Sequence, residues 1–157
     1  MIGTRWHGVL AGGGIAATLD IVYAIVRNGL HGRTPLWVLQ SVASGWLGAD
    51  AFASGVPGGL LGLASHYGIL FAAAAVYLAA SGRVPILRSR AVLSGAGFGV
   101  LVYLFMNFVV LPLSAFPFTL SYPAARLLEG FVSHALLVGI PIALAIRSYS
   151  TPDVPPA

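Results

Sequence analysis

Residues 58–80 read GGLLGLASHYGILFAAAAVYLAA. The run holds no charged residue, and its most polar side chain is His66. A bilayer core about 30 Å thick needs about 20 apolar residues at about 1.5 Å rise each. The stretch therefore predicts a membrane-spanning helix. Runs of the same kind lie at about 6–27, 91–112 and 123–146. The expected fold is all-α, a polytopic four-helix membrane bundle filling one domain over residues 1–148.

The composition agrees with that expectation. Of the 157 residues, 58% are apolar and 8% are charged, whereas soluble domains carry about a quarter charged residues. There is no cysteine, so neither a disulfide framework nor a thiolate metal site is open to the chain. The net charge of +4 comes from arginines at the edges of apolar runs. Membrane proteins keep their arginines there, and nucleic acid is not implied. The first run contains Asp20 and no clean small-residue cleavage site ends it, so a cleaved signal peptide is not expected.

Arg83, Arg88 and Arg90 crowd the connection between the second and third runs. The positive-inside rule puts that connection, and with it both termini, in the cytoplasm. Arg5 and Arg147 agree, and Arg27, Arg33 and Arg126 remain outside. Between the first two runs, Thr34 and Pro35 are suited to start a helix at about 34–48. Gln40, Ser41, Ser44 and Gly45 form a polar stripe on it, and Val38, Leu39, Val42 and Trp46 an apolar one. An extra interfacial amphipathic helix is expected there. The tail 149–157 is rich in proline and is expected to be disordered.

The motif of the quoted stretch returns. Gly62, Ser65 and His66 recur as Gly130, Ser133 and His134. Gly8, Gly12 and Asp20 recur as Gly95, Gly99 and Asn107 at a longer constant offset. The difference between the offsets is about the length of the inserted surface helix. An internal repeat of two parallel helix pairs is one explanation. Chance is the other, since glycine is abundant and small-xxx-small patterns are common in membrane helices. On the repeat reading, helices 1 and 3 are diagonal in the bundle, as are 2 and 4.

Polar residues inside the spans are the candidate site. Asp20, His66 and His134 lie about 10, 12 and 16 Å from the outer ends of their helices, and Asn107 and Glu129 about 8–9 Å. Charge facing lipid is costly, so such groups turn inward and find partners. Arg126 and Glu129 are spaced to pair along one helix, and Tyr23 shares a face with Asp20. The expected ligand-binding set is Asp20, Tyr23, His66, Asn107, Arg126, Glu129 and His134. A packing role is the alternative for each residue, above all for Asn107, because Asn commonly glues helices.

The stretches LQSVASGWLG (39–48), ASHYGILFAAAAVYLA (64–79), MNFVVLPLSAFPF (106–118) and FVSHALLVGIPIALAIR (131–147) resemble a group of small four-helix bacterial inner-membrane proteins catalogued as domains of unknown function. The marks of the resemblance are His66, the Met106-Asn107 to Pro112-Leu113 turn, and His134. It implies a fold and a multi-pass inner-membrane location. It implies no activity.

Three functions compete. The first is a non-enzymatic module with an outward-facing polar pocket that binds a small ligand, a lipid headgroup or a proton. The second is a haem or divalent-metal protein using His66 and His134, with Asp20 as a further metal ligand. The third is a structural accessory subunit of a membrane complex. No Walker motif, nucleophile elbow or His-Glu-x-x-His appears, so a metal-activated water is the one catalytic route left open. The bilayer is the expected partner, with a homodimer through glycine faces as a further candidate.

Overall fold

The computed structural model describes residues 2–149. They contain no strand. The tail expected to be disordered lies, beyond Tyr149, outside the described residues. Helix α1 runs Ile2–Gly29, α2 Pro35–Leu47, α3 Gly55–Arg83 and α4 Ile86–Ser89. Helices α5 and α6 cover Ala91–Leu113 and Ala124–Ser148. Four of these, α1, α3, α5 and α6, are long and apolar enough to cross a bilayer. Much of their apolar surface faces outward: Leu10 is 60% exposed, Leu101 62% and Leu128 63%. Apolar patches of that extent are rare on soluble monomers.

Glycine decides how the long helices meet. In water an interior glycine costs a helix about 1 kcal/mol. In lipid the backbone has no other hydrogen-bond partner, so the helix survives and the missing side chain becomes a contact surface. A Cβ on Gly8 would stand 3.1 Å from Ile146 Cα, and one on Gly12 3.1 Å from Ile142 Cα. Both glycines therefore press α1 onto α6. Gly95 and Gly99 press α5 onto the same helix, against Gly139 and His134. Gly13 seats α1 against Phe71 of α3.

The helices accordingly form an arc in the order α3, α1, α6, α5. The largest buried core residues are Tyr77, Val138, Ile142 and Ile146. Helices α1 and α5 are on opposite sides of α6 without extensive contact, and α3 touches α6 only slightly. Both matched glycine pairs thus face α6. A strict repeat would have each pair face the helix that follows it in sequence, which holds for Gly95 and Gly99 but not for Gly8 and Gly12. These contacts use Gly8, Gly12, Gly95 and Gly99 inside the bundle, while Gly68 and Gly97 keep open faces.

The arc does not close. Helices α3 and α5 meet near their connection, where the Tyr77 and Phe98 rings lie 5.0 Å apart. There Tyr77 Oη and Ser94 Oγ both donate to the Leu87 carbonyl, at 2.8 and 3.0 Å. Beyond that point the two helices share no extensive contact.

Helix α2 covers the open end. Thr34 Oγ1 accepts from the Trp37 amide at 3.1 Å, and Pro35 occupies the first turn, where its missing N–H does no harm. Gly48 ends the helix at φ +60°, a conformation that favours glycine. Helix α2 buries parts of both stripes, Val38 with Gln40 and Ser44. Gln40 and Ser44 of the polar stripe are buried, while Trp46 is 71% exposed. Gln40 Nε2 donates to the Gly55 carbonyl at 3.0 Å, and Ser44 Oγ to that of Ser41 at 2.7 Å. The polar stripe turns toward the protein because its partners are there.

Two helices widen by one residue per turn beside this region. The wide turns are Met106–Val110 in α5 and Ala135–Gly139 in α6. Each precedes a proline by two positions, Pro112 and Pro141. A proline ring collides with the carbonyl four residues back, here Phe108 or Leu137, and offers no N–H. Widening the preceding turn relieves both conflicts.

Candidate functional site

The gap between α3 and α5 is a cavity of about 830 Å³. Its walls are apolar, with Ile69 and Leu70 from α3 and Val102, Phe105 and Val109 from α5. Its roof is α2 with the chain that follows α5, joined where the Ala115 amide donates to the Gly45 carbonyl at 2.9 Å. Trp46 Nε1 donates to Ser65 Oγ at 3.1 Å and ties the roof to α3. Gly62 lets α2 approach, because any side chain there would overlap the Leu39 carbonyl.

Asp20, His66 and His134 all line this cavity. They arrive from α1, α3 and α6. His66 is buried, and its Nε2 lies 3.0 Å from the Ala17 carbonyl oxygen. A carbonyl can only accept, so that nitrogen carries a proton, and in the neutral ring Nδ1 keeps its lone pair. Asp20 Oδ2 stands 4.0 Å from His66 Nε2, too far for a hydrogen bond. No described residue donates to the Asp20 carboxylate within hydrogen-bond distance. Among the described residues no fully buried side-chain nitrogen or oxygen is left unpaired, so the Asp20 oxygens are accessible, and Asp20 lines the cavity.

His134 sits where α6 begins its wide turn. Its ring packs edge-on against Tyr103, with centroids 5.0 Å apart. Ser133 Oγ donates to the Gly130 carbonyl at 3.1 Å and lies 3.4 Å from His134 Nδ1. The serine proton is spent on the carbonyl, so its oxygen presents a lone pair to the ring. That assigns the His134 proton to Nδ1 and leaves Nε2 as an acceptor.

The other expected site residues lie elsewhere. Glu129 pairs with Arg27 of α1 rather than with Arg126 of its own helix. The pairing is two-pronged, Arg27 Nε to Oε1 at 2.6 Å and Nη2 to Oε2 at 2.9 Å. Tyr23 Oη donates to Glu129 Oε1 at 2.7 Å, not to Asp20. These corrections have one cause. Glycine contact brings α1 against α6, and a fork across two helices satisfies both carboxylate oxygens. Arg126 faces the Ser121 carbonyl at 3.5 Å. Asn107 Nδ2 donates to the Tyr103 carbonyl one turn back, at 2.9 Å. None of Tyr23, Asn107, Arg126 and Glu129 lines the cavity.

The haem and metal reading gains no support of its own from the geometry. His66 Nε2 is engaged by Ala17, which leaves Nδ1 as the ring's one nitrogen for a ligand. Among the described residues no three His, Asp or Glu side chains are arranged to hold a metal ion. Sequence reasoning missed the Arg27–Glu129 pair and the roof. Tyr23 and Arg27 share a helical face, which signals a common partner but not which one. Comparison with family models, curated proteins and solved structures found no match.

Proposed function

We propose that this chain is a multi-pass protein of a bacterial inner membrane that binds a small amphipathic ligand, a lipid headgroup included, without transforming it. This reading keeps the likeness to the small four-helix inner-membrane proteins. Both termini face the cytoplasm. Arg83, Arg88 and Arg90 at the α3–α5 connection support that orientation, and the cavity lies toward the opposite end, hence the outer half. Helix α2 lies against the bundle in the outer leaflet, with Trp46 toward lipid.

The observation that carries the binding reading is the environment of Asp20. A carboxylate beside two histidines accepts no hydrogen bond from the protein and opens into an apolar-walled cavity. A polar group so placed is expensive in a membrane unless something satisfies it. Small-molecule sites have this form: apolar walls with a few convergent polar groups. The side chains present offer no positioned nucleophile, which favours binding over catalysis.

The test is native mass spectrometry of protein extracted from its own membrane. The unaltered chain retains an amphipathic molecule. Ser114→Trp fills the cavity from the roof and releases it. Equal retention by the two proteins would place the molecule elsewhere and remove the reading.

A further inference from the structure

We propose that the head group received at Asp20, His66 and His134 is a primary ammonium, carried by an alkylamine or by an ethanolamine lipid. The inference rests on the binding reading above and names the chemistry of its ligand. It comes from counting donors and acceptors on the cavity floor.

An ionised carboxylate offers acceptors only. His66 spends its N–H on Ala17 and keeps a lone pair on Nδ1. With the Ser133 proton on the Gly130 carbonyl, the neutral His134 ring sets its N–H toward Ser133 and keeps a lone pair on Nε2. With the acid ionised and both rings neutral, the three polar groups present acceptors and no free donor. Of the nearby donors only the Ser65 hydroxyl, which accepts from Trp46, has no acceptor of its own among the described residues. Ser41 donates to Val38 at 2.7 Å, Ser114 to Leu111 at 2.8 Å and Trp46 to Ser65. The lining includes one acid and neither Arg nor Lys.

A ligand suited to this floor brings donors and positive charge. An alkylammonium brings three N–H donors and one charge, and stays ionised at neutral pH as lysine does. Its chain continues between α3 and α5, along Ile69, Val102, Phe105 and Val109. A fatty carboxylate meets Asp20 with no compensating cation. A quaternary ammonium has the charge but no N–H to give. An alcohol has one donor and no charge.

The experiment compares four ligands of equal chain length: dodecylamine, dodecyltrimethylammonium, dodecanol and dodecanoate. Each is titrated against the protein in phosphatidylcholine nanodiscs, with displacement of a fluorescent alkyl probe as the readout. Dodecylamine is expected to bind about tenfold more tightly than dodecanol or the trimethyl compound, as a charge-assisted hydrogen bond warrants. Dodecanoate is expected to bind most weakly. Asp20→Asn should erase the advantage of the amine over dodecanol. If that variant does not accumulate, the ranking of the four ligands on the unaltered protein decides alone.

A further arm adds phosphatidylethanolamine to the nanodiscs. Displacement of dodecylamine assigns the ammonium to a lipid, and no displacement assigns it to a free amine. Equal affinity for all four compounds overturns the ammonium inference while the pocket stands. No displacement of the probe by any of them overturns the pocket reading, and the inference with it.

Discussion

Gly99 of α5 lies directly over the His134 carbonyl of α6, so close that a methyl group on the glycine would overlap that oxygen. The contact lies at the start of the wide turn of α6, beside the His134 ring. Gly99→Ala is therefore expected to lower stability by about 2 kcal/mol through overpacking. Gly97→Ala is the control, since nothing lies within 4 Å of a Cβ there. Thermal unfolding of the two purified variants checks the contrast. Equal losses would show that the α5–α6 contact does not constrain the fold.

The Arg27–Glu129 fork joins α1 to α6 at the mouth of the bundle. Each side chain is 34% exposed, so solvent and headgroups screen part of the attraction. A double-mutant cycle of Arg27→Met and Glu129→Gln should give a coupling of about 1 kcal/mol. Tyr23→Phe removes one bond to the same carboxylate and should cost less. A coupling of zero would mean that the pair contributes nothing to holding α1 on α6.

The absence of cysteine makes topology accessible to single-cysteine labelling. Pro85→Cys should react with a membrane-impermeant maleimide only in inverted vesicles. Phe118→Cys should react from the outside of intact cells. The reverse pattern contradicts the orientation and moves the cavity to the cytoplasmic half.

The four long helices were legible in the sequence because lipid imposes length and composition on any chain that crosses it. Helix α2 was legible because Thr34 and Pro35 make a start that few other structures use. Partner choice was not legible. Arg126 and Glu129 have a spacing that a single helix permits, and only the approach of α1 to α6 makes Arg27 the better partner. The polar stripe of α2 faces inward because its acceptors sit on α3 and on its own previous turn, which no periodicity reveals. The matched motifs do not make matched contacts. Gly62 admits α2, whereas Gly130 lies under the Tyr103 ring. Asp20, His66 and His134 were legible as costly groups in lipid. The opening between α3 and α5 that joins them required the helix order, which sequence does not encode locally. Pro112 and Pro141 did carry a local signal for the wide turns.

The roof should govern access to the cavity. Gly62→Leu would drive a side chain into the Leu39 carbonyl and push α2 away. Trp46 would then lose Ser65. Trp46 fluorescence should change in position or intensity, and the exchange of a bound alkyl probe should become faster. An unchanged exchange rate with a displaced α2 would show that ligands enter between α3 and α5 without passing the roof.

The central claim is that an amphipathic molecule occupies the space between α3 and α5 with its head at Asp20. Photoaffinity labelling with a diazirine-bearing alkylamine, followed by peptide mapping, tests it most directly. The account expects cross-links concentrated on residues 102–116 and on 65–70, abolished by Ser114→Trp. Labels spread evenly over the outward faces of α1 and α6, and unaffected by that substitution, would contradict it.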